Sequence, residues 1–365
     1  TTTEYEEGVD IDQSQLNGGA PGEAPTDGDW KAIDPNRLPR DPYKGCGLDC
    51  STIPDNNGGA WTDSFQNIRC YDQLKVNAIL NWIDGKAHLG GNTKAPVPNL
   101  FGMNFQAVSV GQKLIENGVK GGYKDAAGTV TDHLKAEIVF VDAAIGQMVS
   151  ELRHQGLLDK TLIIVTAKHG QSPIDPNRFQ KIGAGITTTP ADVIAGSLPP
   201  PPAPENPNTN PALNPIGPTQ DDISLLWLDR QASVAGAVQA LEASGTAGIG
   251  LGQIFFGPSL ETMFNAPGLP PNGDPRSPDI VVQPNVGVIY TGSHKKQAEH
   301  GGFAQDDTNV MILVSNPSLQ ASTVTTFVET TQVAPTILEA LGLDPTSLDA
   351  VQKEGTAVLP GLTLK

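Results

Sequence analysis

Two histidines and a lysine occupy positions at which side chains commonly carry chemistry. Lys168 and His169 directly follow the aliphatic run 162–165, and His300 precedes two glycines. An unbroken aliphatic run predicts a strand buried on both faces, and open α/β sheets bind ligands beyond the carboxyl ends of such strands. Glycine lets the backbone approach a ligand without a Cβ clash. We therefore predict that His169 and His300 converge on one metal ion and that Lys168 faces an anion beside it.

A structural interpretation of the same residues stays open. In that interpretation, Lys168 and His169 cap the strand and donate hydrogen bonds to loop carbonyls, and His294 is merely exposed. Asp306 and Asp307 are predicted to be turn and strand-entry residues, because aspartate favours such positions through hydrogen bonds to the nearby backbone. The two interpretations differ in whether the distant histidines meet.

Helices and strands in alternation must position these residues. Apolar residues at helical spacing predict a helix from Tyr71 to a stop at Gly85, a second over 134–152 and a last one over 330–342. The segment 99–110 is interpreted as a strand that runs into a polar loop. The fold class is predicted to be α/β, with one mostly parallel central sheet and helices on both faces. Four aliphatic runs are its predicted central strands: 162–165, 223–228, 279–282 and 310–314.

Two stretches are expected to lie outside this regular framework. Residues 1–68 are rich in Gly, Pro, Asp and Asn and lack periodicity, so we expect an irregular amino-terminal segment packed on a main domain, 69–365. The proline-rich segment 198–220 is predicted to be a surface loop, because proline removes backbone donors and fixes φ.

Composition excludes several classes of partner. The net charge of −17 leaves no excess of Lys and Arg for a nucleic-acid groove, and no apolar run reaches the roughly 20 residues that span a bilayer. The sequence begins with neither the basic nor the apolar part of an export signal. Of three cysteines, Cys46 and Cys50 are close enough for a small disulfide loop, with Cys70 left over. No oligomeric state is indicated.

Three motifs taken together resemble those of a known family. They read LIIVTAKHGQSPIDP, AEHGGFAQDDTNVMILVSNP and TTQVAPTILEALGLDP. In this order they are similar to the alkaline phosphatase superfamily, and in particular to its branch of type I phosphodiesterase and nucleotide pyrophosphatase-like proteins. The resemblance extends from the region of Tyr71 to the carboxyl terminus. It implies an alkaline phosphatase-like fold, the hydrolysis of phosphoric esters, and a secreted or periplasmic location.

The resemblance also implies roles for single residues. His169 and His300 match metal-binding histidines, and the divalent metal expected is zinc, with calcium or manganese as alternatives. Lys168 stands where many members have a carboxylate, so we expect it to stabilise charge on a small anionic phosphoric ester. Asn104 and Gln106 stand where other members supply Asp and His, and we expect them to contact the substrate. This depletion of carboxylates predicts one metal ion or none.

The nucleophile of the family has no convincing counterpart. We expect that the chain starts after the strand that carries it, and that material is also missing within residues 45–60. Ser64, in WTDSFQN, resembles the nucleophile motif only superficially. The enzymatic hypothesis therefore stands beside an alternative, a noncatalytic binding, storage or pigment-type protein on the same fold.

Overall fold

The structure is a computed structural model. It describes residues 62–88, 90–183, 188–197, 218–228, 230–268 and 270–362. The chain divides into two compact units. Unit 1 comprises Thr1–Val110, Ala136–Lys168 and Val310–Lys365, and unit 2 comprises Gly111–Lys135 and His169–Asn309. Of the segments predicted to be irregular, residues 1–61 and 198–217 lie outside the described residues.

Helices cover the three stretches in which apolar residues recur at helical spacing. The helices of the described residues are α1 (Phe65–Ile83), α2 (Ala107–Lys113), α3 (Asp132–His154), α4 (Pro190–Ser197), α5 (Val234–Ile249), α6 (Gln305–Thr308), α7 (Val333–Ala340) and α8 (Asp349–Glu354). The predicted helix over 134–152 is α3, and the predicted last helix contains α7. Among the helices in the described part of the chain, none is long and apolar enough to cross a membrane.

Strands form at each of the four aliphatic runs. The strands of the described residues are β1 (Ile115–Glu116), β2 (Val119–Lys120), β3 (Ile163–Thr166), β4 (Gln180–Ile182), β5 (Thr219–Gln220), β6 (Ser224–Leu226), β7 (Leu251–Phe256), β8 (Ile280–Pro284), β9 (Val288–Tyr290) and β10 (Ile312–Ser315). The short strand β5 lies at the end of the predicted loop 198–220, so Thr219 and Gln220 are an exception to that prediction.

The sheets formed by the described residues are small. In unit 1, β3 pairs with β10 in antiparallel fashion, with Ile164 opposite Val314. In unit 2, an antiparallel sheet has the order β5-β6-β8-β7, β1 pairs antiparallel with β2, and β4 pairs in parallel with β9. The mixture of helices and strands fits the α/β class, but these residues do not form one clearly parallel central sheet. The difference arises because an aliphatic run indicates burial and does not specify the partner strand or its direction.

Strand β3 differs from its prediction in burial as well. Its residues Ile163, Ile164 and Val165 are half-buried, and Thr166 is exposed. Among the described residues β3 has one neighbouring strand, β10, so it does not occupy the interior of a wide sheet. The prediction of a strand covered on both faces is therefore wrong for the described residues.

Helix α1 begins six residues before the predicted start at Tyr71. The side chain of Ser64 is its N-cap, and its Oγ accepts hydrogen bonds from the backbone N–H of Gln66 at 3.3 Å and of Asn67 at 3.4 Å. Such a cap satisfies donors that have no partner within the helix. The irregular segment predicted for residues 1–68 therefore ends earlier, before Phe65.

A fully buried ion pair on α1 holds the segment that leads into α2. Lys75 Nζ lies 3.2 Å from Asp72 Oδ1, and neither side chain is exposed to solvent. Lys75 donates a hydrogen bond to the carbonyl of Asn104 at 2.7 Å. The Asp72 carboxylate accepts from the backbone N–H of Gln106 at 2.8 Å and of Ala107 at 2.7 Å. Lys75 thus binds a backbone carbonyl and Asp72 binds two backbone N–H groups, so the pair holds residues 104–107 through both kinds of backbone group.

These contacts correct the prediction of a strand over 99–110. Asp72 accepts hydrogen bonds from the N–H groups at the start of α2, and such groups have no partner within a helix. The chain therefore becomes helical at Ala107, after an irregular stretch. Burial raises the pKa of Asp72, whereas Lys75 and the two N–H groups lower it. Desolvation outweighs them, as is common for buried ion pairs.

The core of unit 2 lies between its sheets and two helices. Side chains from α4, α5 and strands β4, β6, β8 and β9 share one hydrophobic cluster, whose fully buried members include Leu241, Ile249, Ile280 and Val282. Val281, which lies between Ile280 and Val282 in β8, packs instead into a separate cluster with Ile223 and Leu260. Alternate side chains of a strand point to opposite faces, so β8 is covered on both.

The cysteines differ from the expected pattern. Cys70, which was expected to be left over, is disulfide-bonded and buried within α1. Cys46 and Cys50 lie outside the described residues. The expected pattern was a Cys46–Cys50 bridge with Cys70 as a free thiol. Because Cys70 is bonded, that pattern does not hold for this chain of three cysteines.

The Asp72–Lys75 pair provides a test of how the fold is held together. Replacing Lys75 by Met keeps the aliphatic stem but leaves the Asp72 carboxylate buried without a cation, so we expect the free energy of unfolding to fall by about 3–5 kcal/mol in urea titration. Lys86→Met is the matched control, because Lys86 pairs with Asp84 at the surface, and it should cost about 0–1 kcal/mol. Equal losses in the two variants would contradict the role given to the buried pair.

Candidate functional site

Two of the predicted site residues meet in unit 2. The imidazole rings of His169 and His300 are stacked, with centroids 4.0 Å apart and an angle of 27° between their planes. The residues are separated by more than a hundred positions in the sequence, and both are half-buried. The convergence expected from the sequence is therefore present in the structure. A common metal ion between them stays a prediction.

The hydrogen bond of His169 decides which of its nitrogens is available to a ligand. Its Nδ1 lies 2.8 Å from the carbonyl oxygen of Gly170. Because a carbonyl can only accept, Nδ1 must carry the proton and donate it, and in the neutral ring Nε2 keeps the lone pair. Metal-binding histidines commonly show this arrangement, in which a second group fixes the tautomer and orients the ring.

Two buried aspartates lie in the same unit. Asp222 and Asp307 are each 2% exposed, and both accept a hydrogen bond from the backbone N–H of Gly302, at 2.7 Å and 2.5 Å. One oxygen of each, Asp222 Oδ2 and Asp307 Oδ1, has no hydrogen-bond partner among the described groups if both carboxylates are ionised. A proton on Asp222 that is donated to Asp307 satisfies both atoms, because a protonated carboxyl is a donor.

The electrostatics of the pair favour that shared proton. Burial, followed by the hydrogen bond and the charge of Asp307, raises the pKa of Asp222 to about 9. Burial also raises the pKa of Asp307, against the lowering effects of Asp222, of Gly302 and of the nearby His169. Two carboxylates this close in a dry environment cannot both ionise near neutral pH. A proton shared between the two carboxyl groups relieves this repulsion.

Two further acids adjoin this region. Glu299, one residue before His300, is 1% exposed and forms an ion pair with Lys296. Burial and the charge of Glu299 raise the pKa of Asp221 to about 6, against the effect of Lys296. Sequence reasoning missed these acids. The one available signal was the Asp221–Asp222 pair at the entry of an aliphatic strand, which also fits an ordinary strand start.

The other predicted site residues, Lys168, Asn104 and Gln106, belong to unit 1. Lys168 is exposed, directly before His169. Asn104 and Gln106 belong to unit 1 and are half-buried, and it is their backbone groups that Lys75 and Asp72 bind. The contacts of these three side chains with a substrate stay predictions.

Two minor predictions have different outcomes. His294 is exposed, as expected. Asp307 is not a simple turn residue, because its side chain is buried and bonds to Gly302 instead of capping α6, which has no side-chain cap.

Ser64 does not have the environment of a nucleophile. It is 2% exposed, and its Oγ is used to cap α1. An activated serine needs a base within hydrogen-bonding reach and access to substrate. The described contacts of Ser64 are those of a structural residue.

The donor set fits a metal ion in part. Two imidazoles, one with its tautomer fixed for coordination through Nε2, are the ligand types of zinc sites. Catalytic zinc sites use three protein ligands. In the described part of the chain, no group of three or more His, Cys, Asp or Glu side chains is placed to hold a metal ion. His169 and His300 could supply two ligands, one fewer than such a site requires.

The acid pair makes a pH-dependent stability testable. In the unfolded chain Asp222 should titrate near 4, whereas in the folded chain its pKa is about 9. Its contribution to stability is complete below about pH 4 and is lost progressively as the pH rises towards 9. We expect Asp222→Asn, which resembles the protonated form, to remove a slope of at most about 1.4 kcal/mol per pH unit from urea unfolding between pH 5 and pH 8.

The control for this measurement is Asp274→Asn. The side chain and backbone of Arg276 hold the pKa of the half-buried Asp274 below its usual range, so its charge is constant over the same interval and the slope should not change. An unchanged slope in Asp222→Asn would show that the two carboxylates do not share a proton.

The comparisons with known proteins agree with the motifs. The family model for type I phosphodiesterase / nucleotide pyrophosphatase matches residues 43–193. This segment contains Lys168, His169, Asn104 and Gln106, whereas His300 lies beyond it. No curated protein matches the chain. The match of residues 43–193 to this family model is consistent with the branch of the alkaline phosphatase superfamily that the motifs of the chain resemble.

Proposed function

We propose that this protein is a metal-dependent hydrolase of phosphoric esters. The match of residues 43–193 to the phosphodiesterase and nucleotide pyrophosphatase family carries the reaction class. That family is generally metal-dependent. We also propose that the chain has the alkaline phosphatase-like central sheet of the superfamily, and the match of residues 43–193 supports this.

The stacked histidines are the proposed metal ligands. His169 has its Nδ1–H engaged by the Gly170 carbonyl, so Nε2 is the nitrogen that would bind the ion, and His300 stacks beside it. A divalent ion held there, zinc in the first place and calcium or manganese as alternatives, would polarise a phosphoryl oxygen of the substrate. The proposal leaves the other ligands to the substrate and to groups outside the described residues.

Lys168 is the proposed partner of the substrate's negative charge. It is exposed and directly precedes His169 in the chain. An ammonium group is a compact charge that stabilises phosphoryl oxygens as negative charge develops on them. Asn104 and Gln106 are proposed to donate hydrogen bonds to the substrate from a segment whose backbone the buried Asp72–Lys75 pair holds. The substrate is accordingly a small anionic ester.

A noncatalytic protein on the same fold is the second candidate. Two observations favour it: Ser64 is buried as a helix cap, and the two histidines have no third ligand among the described residues. Such a protein would keep the fold and bind an anion or a metal without turnover. The experiments below separate the two candidates.

We also propose a secreted or periplasmic location. The disulfide bond of Cys70 supports it, because structural disulfides form and persist mainly in oxidising compartments. The acidic composition is in keeping with such a protein but does not distinguish it from a cytosolic one.

Variants of the two histidines test the proposal directly. We expect His169→Ala and His300→Ala each to lose bound zinc in elemental analysis and to reduce hydrolysis of a chromogenic phosphodiester by at least about 100-fold, since each removes a ligand. His294→Ala is the matched control, because His294 is an exposed histidine of the same unit, and it should keep both properties.

Lys168→Ala separates charge stabilisation from metal binding. It should keep the zinc content and lower kcat/KM by about 10²–10³-fold, because it removes one group that stabilises developing charge. If wild-type protein saturated with zinc, calcium or manganese hydrolyses no phosphoric ester, the enzymatic proposal fails and the noncatalytic candidate replaces it.

A further inference from the structure

The two histidine loops of unit 2 are joined by backbone hydrogen bonds. Ser172 N donates to the carbonyl of Glu299 at 2.8 Å, and Glu299 N donates to the carbonyl of Ser172 at 3.0 Å. Ser172 follows His169 by three residues, and Glu299 immediately precedes His300. This antiparallel bridge joins the two loops at Ser172 and Glu299.

Asp307 contacts both loops close to the rings. Its backbone carbonyl accepts a hydrogen bond from Gly170 N at 2.5 Å, one residue after His169. Its carboxylate accepts from Gly302 N at 2.5 Å, two residues after His300. One residue of α6 therefore receives a hydrogen bond from each histidine loop.

Asp306, the residue before Asp307, also binds the His169 loop. Asp306 Oδ2 accepts from Ile174 N at 2.8 Å, further along the His169 loop. The packing is so close that a Cβ on Gly170 would lie 2.0 Å from the carbonyl oxygen of Asp306, well inside van der Waals contact. The loop can approach α6 this closely only because residue 170 has no side chain.

Asp222, two residues before strand β6, supports Asp307. Its Oδ1 accepts from the same Gly302 N–H at 2.7 Å, and it lies within hydrogen-bonding reach of the Asp307 carboxylate. Both side chains are almost fully buried, where a hydrogen bond is not in competition with water and leaving it unmade is costly. These contacts hold the side chain of Asp307 in place in the protein interior.

We propose that Asp307 is the positioning residue of the histidine pair, which holds the His169 and His300 loops in the arrangement that stacks the two rings. The importance of Asp307 for metal binding rests on the proposed function. The stacking of the two rings, which the proposal explains, does not depend on any metal. Asp307 acts through the Gly170 and Gly302 backbone and is not assigned a contact with substrate.

The direct test is the ring signals of the two histidines in metal-free protein. The chain has six histidines, and in a ¹⁵N-histidine NMR spectrum the signals of His169 and His300 are assigned from the two alanine variants. Asp307→Ala removes one of the two carboxylate acceptors of Gly302 N, so we expect both signals to move towards the positions of free histidine. Asp307→Asn keeps an acceptor oxygen and should restore the wild-type positions.

The matched control is Asp279→Ala. Asp279 is also a buried aspartate of unit 2 that accepts from a backbone N–H, that of Leu228 at 2.6 Å. Its loss should lower stability without moving the two histidine signals. If Asp307→Ala does not fold, Asp307→Ser, whose hydroxyl is too short to replace the carboxylate, gives the same comparison.

Zinc titration by calorimetry then separates this inference from the proposed function. We expect Asp307→Ala to weaken zinc binding by about 10–100-fold, as is typical when a residue that orients a ligand is lost. If wild-type protein binds no zinc, the proposed metal site fails, and the NMR result still decides the positioning role. Folded Asp307→Ala with unchanged histidine signals, or signals that move equally in Asp279→Ala, would overturn the inference.

Discussion

Buried carboxylates that accept hydrogen bonds from backbone N–H groups hold the candidate functional residues in both units. In unit 1 the carboxylate of Asp72 binds the backbone of Gln106 and Ala107. In unit 2 the carboxylates of Asp222 and Asp307 bind the backbone of Gly302. A buried carboxylate is costly unless such partners surround it. The same cost fixes the surrounding loops, because a shift of the backbone would leave the oxygen unsatisfied.

The two units neutralise this buried charge by different means. Asp72 has a buried cation, Lys75, at ion-pair distance. Asp307 has a second carboxyl as its neighbour, and the pair is acceptable in the interior when it holds one proton. The second solution is linked to proton concentration, because burial and the neighbouring carboxylate raise the pKa of Asp222 to about 9.

The sequence was informative where the deciding interactions are local or apolar. Helix α3 follows from apolar residues three and four positions apart, and Gly156 ends it with a positive φ of 67°. The meeting of His169 with His300 was predictable because each motif places its histidine at a cleft-forming position.

Long-range interactions set the limits of prediction. The direction of β3 depends on its pairing with β10, about 150 residues away, and an aliphatic run contains no record of that choice. The roles of Asp72, Asp222 and Asp307 could not be derived either, because a carboxylate in a sequence looks the same whether water or a distant N–H solvates it. Acidic residues are normally exposed, so the residue type alone gives no indication that these three are buried.

The closeness of Gly170 to Asp306 has a consequence for how this sequence can change over evolutionary time. His169 is constrained only as long as its imidazole has a chemical task, whereas Gly170 is constrained by the 2.0 Å that a Cβ would leave to the Asp306 carbonyl oxygen. A side chain at position 170 would be excluded by this packing even if the neighbouring histidine had no chemical task. Substitution at position 170 is therefore limited by packing, whereas substitution at position 169 is limited by whatever task the imidazole has.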